Sequence, residues 1–417
     1  MLLVVVACVL PRTTNADTKL NQIPILIRSL NDANVRYGAA VALSKLGDKA
    51  VSALRESLQS SAADVPVWAA YTLGRIGPAA KSAVPDLIKA LASSDEALRG
   101  SAAQALGQIG LAAATAVGPL AKTLNDAGPE VRLRAVVALG KIGPPAKNAI
   151  GQIVRKLADR QLRKRARQAL IRIRPSVEYL LKLRDDESIR FDVGIVLAKV
   201  DPQSAKKANV NRATAADLPA LRLVFDDPTR EPWERTRAAN SLAGLGRKGT
   251  AVLLSGFEKQ WLAPTAAAAF GRNGAKSVRE LLKKLDDPQP LVRWTAIDAI
   301  GHIGPAASDA TPQLIHLLSD KHREVRYRAV LALHAFKQKA APAVPRLIKV
   351  INNKREAERT RQWAIKTLLV TLPATKTVVV KALIATAKVK GNYGVSQLAR
   401  QQVRKIDLKA AIAAGLK

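Results

Sequence analysis

A row of cationic side chains is the most regular chemical feature of this sequence. Seven-residue segments such as PDLIKAL (85–91) and PRLIKVI (345–351) carry a basic residue or a histidine at the fifth position. The residues at this position, here called the cation row, are Arg28, Lys89, Lys122, Arg155, Lys182, Lys283, His316 and Lys349. Regularly spaced cations can hold a long polyanion or an acidic protein surface, mainly through charge. A cation near the C-terminal end of a helix also complements the helix dipole, so a structural role stays open.

A denser basic patch covers residues 155–174, which contain nine basic residues and one acidic residue. Four cations at its centre cover most of a helix circumference. They are Arg163, Lys164, Arg165 and Arg167. Because these side chains leave the helix in so many directions, some of them must face neighbouring helices or a ligand.

A second row consists of arginines that recur once per sequence repeat. An aspartate often precedes the arginine by four to six residues, so we expect Arg–Asp contacts that tie consecutive turns together. The arginines of this row, here called the arginine ladder, are Arg36, Arg99, Arg132, Arg163, Arg190, Arg235, Arg293, Arg326 and Arg361. We expect the ladder to hold the fold together.

Residues suited to catalysis or metal binding form no recognisable site. The histidines lack the three- or four-residue helical spacing of metal ligands. They are His302, His316, His322 and His334. Three acidic pairs recur in the turn between repeats, where helix capping explains them better than acid–base catalysis. They are Asp185-Asp186, Asp226-Asp227 and Asp286-Asp287. The sequence therefore predicts no enzyme activity, no metal and no cofactor.

The charge balance limits the class of partner. Lys and Arg number 67 against 33 Asp and Glu, which gives a formal net charge of +34 and a pI of about 10.7. Such a field favours an anionic partner, such as an acidic protein, nucleic acid, acidic polysaccharide or anionic lipid surface. After the N-terminal segment, no apolar run approaches the roughly 18 residues of a membrane span.

The N-terminal segment, residues 1–16, is expected to be an export signal. It begins with an apolar run and ends in Thr14-Asn15-Ala16, small residues typical of a cleavage site. The basic start of such signals is missing, as expected if the true start lies upstream. Export would place the protein in a bacterial periplasm or cell envelope, and retention in the cytoplasm is the alternative. Cleavage after Ala16 would remove Cys8, the single cysteine.

Both cation rows follow from an internal repeat. The pattern V-R-x-x-A-A-x-A-L-G-x-I-G places its second position at residues 36, 66, 99, 132, 163, 190, 235, 263, 293, 326, 361 and 396. Its apolar positions have helical spacing, Gly140 leaves room for a neighbouring helix, and Gly143 is expected in a left-handed conformation. A polar segment from Asp201 makes the step from 190 to 235 the longest, which predicts an enlarged loop.

The second half of each repeat predicts another amphipathic helix. Prolines begin this helix, and aspartates in the following turn are expected to cap the next first helix. The prolines are Pro24, Pro85, Pro312 and Pro345, and the aspartates are Asp32, Asp126, Asp227, Asp287 and Asp320. The tryptophans are expected to pack in the core or between repeats, and they are Trp68, Trp233, Trp261, Trp294 and Trp363. Each repeat is too small to bury its own apolar face, so about twelve must stack.

The segment VRLRAVVALGKIGPPAKNAI resembles the HEAT-repeat family, in particular the short PBS lyase HEAT-like repeats. The resemblance covers about residues 20 to 410. It implies an all-α fold, an α-α superhelix (a HEAT/armadillo-like solenoid) of two-helix repeats, with a single solenoid over residues 17–417. In this family the second helices line the concave side, which would place the cation row there.

The family is nearly silent on function, because scaffolds, adaptors and a few enzymes share it. We expect a non-enzymatic scaffold that binds a protein or a polyanion through a basic surface. Two alternatives remain, a nucleic-acid-binding protein similar to HEAT-like DNA glycosylases and an enzyme similar to the PBS lyases.

Overall fold

The fold is all-α, as the sequence predicts. The structure is a computed structural model that describes residues 21–62, 64–208, 213–372, 375–389 and 393–416. The chain divides into two compact units, Met1–Asn211 and Arg212–Lys417. The predicted export signal, residues 1–16, lies outside the described residues. A single solenoid over 17–417 stays a prediction, because the contacts within each unit define a stack of its own.

The first unit stacks helix pairs behind one leading helix. Its described helices, α1 to α13, are Ile23–Ser29, Arg36–Leu46, Val51–Ser57, Val65–Ile76, Val84–Ala90, Glu96–Ile109, Val117–Thr123, Pro129–Ile142, Ile150–Arg155, Arg163–Ile173, Val177–Lys182, Arg190–Val200 and Pro202–Lys207. In each pair a longer first helix precedes a shorter second helix. First helices pack against one another, so that α6 lies between α4 and α8. Second helices such as α7 pack against the short segment that precedes the next second helix.

The second unit repeats this arrangement behind a leading helix of its own. Its described helices, α14 to α26, are Leu218–Phe225, Pro232–Ala243, Gly246–Ser255, Ala263–Asn273, Val278–Leu282, Pro290–Ile303, Thr311–Leu317, Arg323–Ala335, Val344–Asn352, Glu358–Val370, Lys376–Ala387, Tyr393–Ile406 and Leu408–Ala413. Six helix pairs occur in the described part of each unit, which agrees with the predicted number of repeats.

Glycines at fixed positions allow neighbouring first helices to approach closely. A Cβ on Gly140 of α8 would lie 2.8 Å from the Cα of Ala169 on α10, closer than atoms can pack. A Cβ on Gly107 of α6 would lie 2.6 Å from the Cα of Ala138. Gly143 ends α8 with φ +77° and ψ −138°. This conformation is essentially restricted to glycine, and it differs from the left-handed helical conformation that the sequence predicted.

The segment that begins at Asp201 is largely helical, and the predicted enlarged loop is wrong. The carboxylate of Asp201 accepts hydrogen bonds from the backbone N–H groups of Gln203 and Ser204, each at 3.0 Å, and so caps α13. Pro202 at the first helical position favours the same start, because its ring presets the helical φ. After residues 209–212, which the structure does not describe, α14 begins at Leu218.

Several arginines of the ladder join consecutive helix pairs, as predicted, whereas Arg132 hydrogen-bonds to the turn before its own helix. Arg99 of α6 forms a two-pronged ion pair with Asp126 in the next turn, with Nε–Oδ2 at 2.8 Å and Nη2–Oδ1 at 2.9 Å. Arg293 of α19 pairs with Asp320 in the same way, at 3.0 Å for both contacts. The remaining amino group of each arginine donates to two carbonyl oxygens in the turn before its own helix. Each arginine therefore links its own repeat to the next.

The ladder also uses partners other than aspartate. Arg326 pairs with Glu356, with Nε–Oε2 at 2.5 Å. The guanidinium of Arg235 lies over the ring of Trp261, 5.3 Å from its centroid. Arg361 is almost fully buried and donates from Nε to a backbone carbonyl of α22 at 2.6 Å. The position of the arginine is thus kept while the chemistry of its partner varies.

The aspartates of the inter-repeat turns close those turns and do not cap the first helices, which corrects the prediction. In each turn the Oδ1 atom accepts a hydrogen bond from the backbone N–H two residues later, at 2.8 to 3.1 Å. The residues concerned are Asp32, Asp126, Asp227, Asp287 and Asp320. Since α8 begins at Pro129 after Gly128, Asp126 lies too far upstream to reach the first-turn N–H groups of that helix.

Replacing Asp126 with Asn is expected to destabilise the first unit by about 1–3 kcal/mol, because the substitution removes the charge that Arg99 pairs with. The hydrogen bond from Arg99 lowers the pKa of Asp126 and, with the N–H of Gly128, outweighs burial, which raises it. The ion pair therefore adds stability above the unfolded-state pKa of about 3.9, and this stability is lost as the pH falls through the lowered folded-state pKa. Urea unfolding at several pH values, followed by circular dichroism, measures both effects.

The matched control is Asp159→Asn, in the equivalent turn one repeat later. Asp159 accepts hydrogen bonds from the N–H groups of Gln161 and Leu162, yet no arginine of the described chain lies within ion-pair distance of it. We expect this variant to lose less stability than Asp126→Asn. Equal losses in the two variants would contradict a stabilising role for the Arg99 ion pair.

Candidate functional site

All the side chains of the cation row are exposed to solvent. Seven of them lie in the last turn of α1, α5, α7, α9, α11, α20 or α22, and Lys283 directly follows α18. The buried residues on either side of each cation in its helix explain why the cation points to solvent. In α5, for example, Leu87 and Ala90 are buried on the core side, so Lys89 between them projects from the opposite side.

Most members of the cation row form no ion pair with any residue that the structure describes. Among the described residues, only Lys182 and Lys283 form ion pairs, with Glu178 at 2.8 Å and Glu280 at 2.9 Å on their own helices. The hydrogen bond from Lys283 lowers the pKa of Glu280. Ion pairs as exposed as these contribute little to stability. The row therefore presents five cations and one histidine that form no ion pair with a described side chain.

The four cations at the centre of the dense basic patch differ in role, because two of them are structural and two are exposed. Arg167 is buried, and its Nη1 lies 3.3 Å from Oδ1 of Asp192, which is fully buried on α12. Arg163 approaches the same carboxylate, with Nε–Oδ2 at 4.0 Å. Lys164 and Arg165 are exposed. Of these four central cations, Arg163 and Arg167 thus face the neighbouring helix, and Lys164 and Arg165 face solvent.

Sequence reasoning missed two cations with unusual backbone conformations. Arg174 ends α10 with φ +59° and ψ +73°, and Lys337 follows α21 with φ +55°. These are the two non-glycine residues with positive φ in the described chain. The signal was present in the sequence, because RIRPS (172–176) aligns with KIGPP (141–145) and so places Arg174 where Gly143 stands one repeat earlier.

Two of the tryptophans are largely exposed, although Trp261 still packs between repeats, against the guanidinium of Arg235. Trp233 is 50% exposed and Trp261 is 43% exposed. Trp68, Trp294 and Trp363 are half-buried in helices, in agreement with the prediction. The exposed tryptophans lie near the starts of α15 and α17, where packing between helices leaves one side of a side chain open.

Within the described ranges, no three histidine, cysteine or carboxylate side chains come together as a metal site would require. None of the described helices combines the length and the apolar character needed to cross a membrane.

Comparison with protein families identifies the repeat. The family model of HEAT repeats matches residues 51–117, 84–171 and 278–369, which together make up more than half of the chain. The chain belongs to the HEAT-repeat family. The model of the PBS lyase HEAT-like repeat also matches residues 35–60, so the subtype resemblance is confirmed there. A comparison with curated proteins finds no matching sequence.

The HEAT-repeat fold of this chain is similar to that of the karyopherin Kap121p. Structures of Kap121p bound to Nup53p, to Pho4p and to the SUMO protease Ulp1p give TM-scores of 0.60, 0.60 and 0.61, each at 15% sequence identity. The matches cover 96–97% of this chain and 51–52% of Kap121p, so the chain spans about half the length of Kap121p. At this identity the likeness concerns the fold alone.

Replacing Arg167 with Ala is expected to destabilise the first unit by about 3 kcal/mol, because Asp192 would stay buried with one fewer cation beside it. The matched control is Arg165→Ala, which removes an exposed arginine of the same helix. Its expected effect is within about 0.5 kcal/mol. Thermal unfolding of both variants measures the difference, and equal effects would argue against a structural role for Arg167.

Proposed function

We propose that this HEAT-repeat protein is a non-enzymatic scaffold that binds an acidic protein partner along the cation row. The observation that carries the proposal is the exposure of a cation or histidine at the same position of eight helices, six of them without an ion-pair partner among the described residues. Exposed like charges repel one another, and an anionic partner relieves that repulsion. Structures of Kap121p bound to three different proteins support a protein partner for a fold of this type.

The helix dipole alone does not account for the row. Glu56 takes the same position in α3, where Leu54 and Leu58 are buried as their counterparts are in the other repeats. The second helix therefore folds with an acidic residue at this position. Cations with a structural role look different in this protein, since Arg293 and Arg361 are buried and hydrogen-bonded. The exposed cations are better explained by a ligand.

The spacing of the row favours a peptide over a nucleic acid. Helices packed side by side lie about 8–10 Å apart, so consecutive row members are expected about 9 Å apart. A strand of duplex DNA carries a phosphate about every 3.4 Å, so roughly two of every three phosphates would lack a row cation. A polyproline II peptide has three residues per turn and rises about 3.1 Å per residue. Acidic residues at every third position would therefore meet consecutive cations on one face.

Reversing the charge of Lys89, Lys122 and Arg155 to Glu is expected to weaken binding of an acidic peptide at least about tenfold at low salt, through repulsion at three consecutive repeats. The probe is a fluorescent peptide with glutamate at every third residue and proline between. Fluorescence anisotropy measures its binding to the full chain. Affinity for the unchanged protein should fall steeply as salt rises, because charge supplies most of it.

The matched control reverses three exposed cations in the last turns of first helices, Lys45, Lys141 and Arg172, so the net charge changes equally. We expect this control to bind nearly as tightly as the unchanged protein. A peptide of the same composition with its glutamates in one block should bind more weakly than the periodic peptide. Equal losses in both triple variants, or tighter binding of single-stranded DNA than of the periodic peptide at matched salt, would overturn the proposal.

A further inference from the structure

The first unit contains a groove, open to solvent, between the second helices α9 and α11. Lys147, just before α9, and Arg174, at the end of α10, line it together with Tyr179 of α11. Gly151 leaves room at its base, since the nearest atom to a Cβ there would be the Tyr179 hydroxyl oxygen at 3.9 Å. Two members of the cation row lie about one helical turn beyond the lining residues of these helices, Arg155 after Gly151 on α9 and Lys182 after Tyr179 on α11.

Three of the polar side chains that line this groove have no partner among the described residues, whereas the fourth, Ser176, accepts a hydrogen bond from the backbone N–H of Tyr179 at 3.3 Å. The guanidinium of Arg174, the ammonium of Lys147 and the hydroxyl of Tyr179 make no hydrogen bond or ion pair with a described residue. Both cations are exposed, and Tyr179 is 36% exposed. The neighbouring carboxylate, that of Glu178, is held by Lys182 at 2.8 Å. Donors and positive charge thus meet in the groove, and none of its described lining residues carries a carboxylate.

Arg174 has a backbone conformation that is unfavourable for every residue except glycine. The left-handed conformation, φ +59° and ψ +73°, crowds the Cβ of any residue except glycine. Glycine occupies the aligned helix end in neighbouring repeats, as at Gly110 and Gly143. An exposed side chain on a strained backbone, where glycine would relieve the strain, points to a role outside folding.

We propose that this groove binds a side-chain carboxylate of the acidic segment that the cation row holds, and so anchors that segment in register. The inference rests on the proposed function and names one site within it. A carboxylate offers two oxygens that together accept about four hydrogen bonds. The guanidinium of Arg174 can supply two parallel N–H donors, and Lys147 and Tyr179 can each supply one more. With Arg155 and Lys182 one helical turn further along α9 and α11, this groove would carry a higher density of donors than the rest of the row.

The test replaces Arg174 with Gly, which removes the cation and relieves the backbone strain together. We expect thermal unfolding at the same or a higher temperature, so loss of folding cannot imitate loss of binding. Affinity for the periodic acidic peptide is expected to fall about three- to tenfold, in line with the loss of a charge-assisted hydrogen-bonding pair. Tyr179→Phe, which removes only the hydroxyl, should lower the affinity by a smaller factor.

The matched control is Lys337→Gly in the second unit, which removes one positive charge from a positive-φ position outside this groove. We expect it to change the affinity less than twofold, a factor small beside the effect of one lost hydrogen bond. Unchanged binding by the Arg174→Gly variant, or equal losses in both glycine variants, would overturn the anchor site. If the anchor alone is wrong, the triple reversal of the row still weakens binding. If the proposed function is wrong, the unchanged protein does not prefer the periodic peptide.

Discussion

The stack of helix pairs depends on a single bridging arrangement at the inter-repeat turn. Asp126 shows it most completely. Its carboxylate pairs with Arg99 of the preceding repeat, its Oδ1 closes its own turn through the N–H of Gly128, and its carbonyl accepts from Nη1 of Arg132 at 2.9 Å. One residue thus connects the first helices of two repeats. Since the partly buried turn would otherwise hold unpaired carbonyls and charges, the contacts act together and set the spacing of the pairs.

This arrangement separates the basic residues of each repeat into two kinds. The ladder arginines of the first helices are used inside the stack, and Arg293 is as buried as an apolar side chain, with 6% of its surface exposed. Cations of the second helices, such as Lys122 and Lys349, lie on the exposed side with no compensating carboxylate among the described residues. Because the repeat copies the second helix, it also copies the exposed cation. A feature of one helix surface thereby recurs along the row.

Departures from the repeat are as informative as the repeat itself. Where glycine would end a first helix without strain, α10 ends in Arg174, and the groove beside it collects donors that no described residue uses. Where an acidic partner is absent from the ladder, Arg235 lies over Trp261. The first departure adds a cation at an exposed surface, and the second keeps the spacing of the stack. The two departures differ because Arg235 has a partner in the next repeat, Trp261, whereas Arg174 has no partner among the described residues.

The sequence by itself determined the helix pairs, their number and the positions of the ladder and of the cation row, because these depend on side-chain volume and on spacing along one helix. It also indicated that Gly140 permits a close approach. Only the tertiary structure decided that Arg167 faces Asp192, that the turn aspartates close turns, and that Arg174 is left-handed beside an open groove. These features depend on where the next repeat lies and on where packing lets each helix begin. Periodicity within a helix does not contain that information.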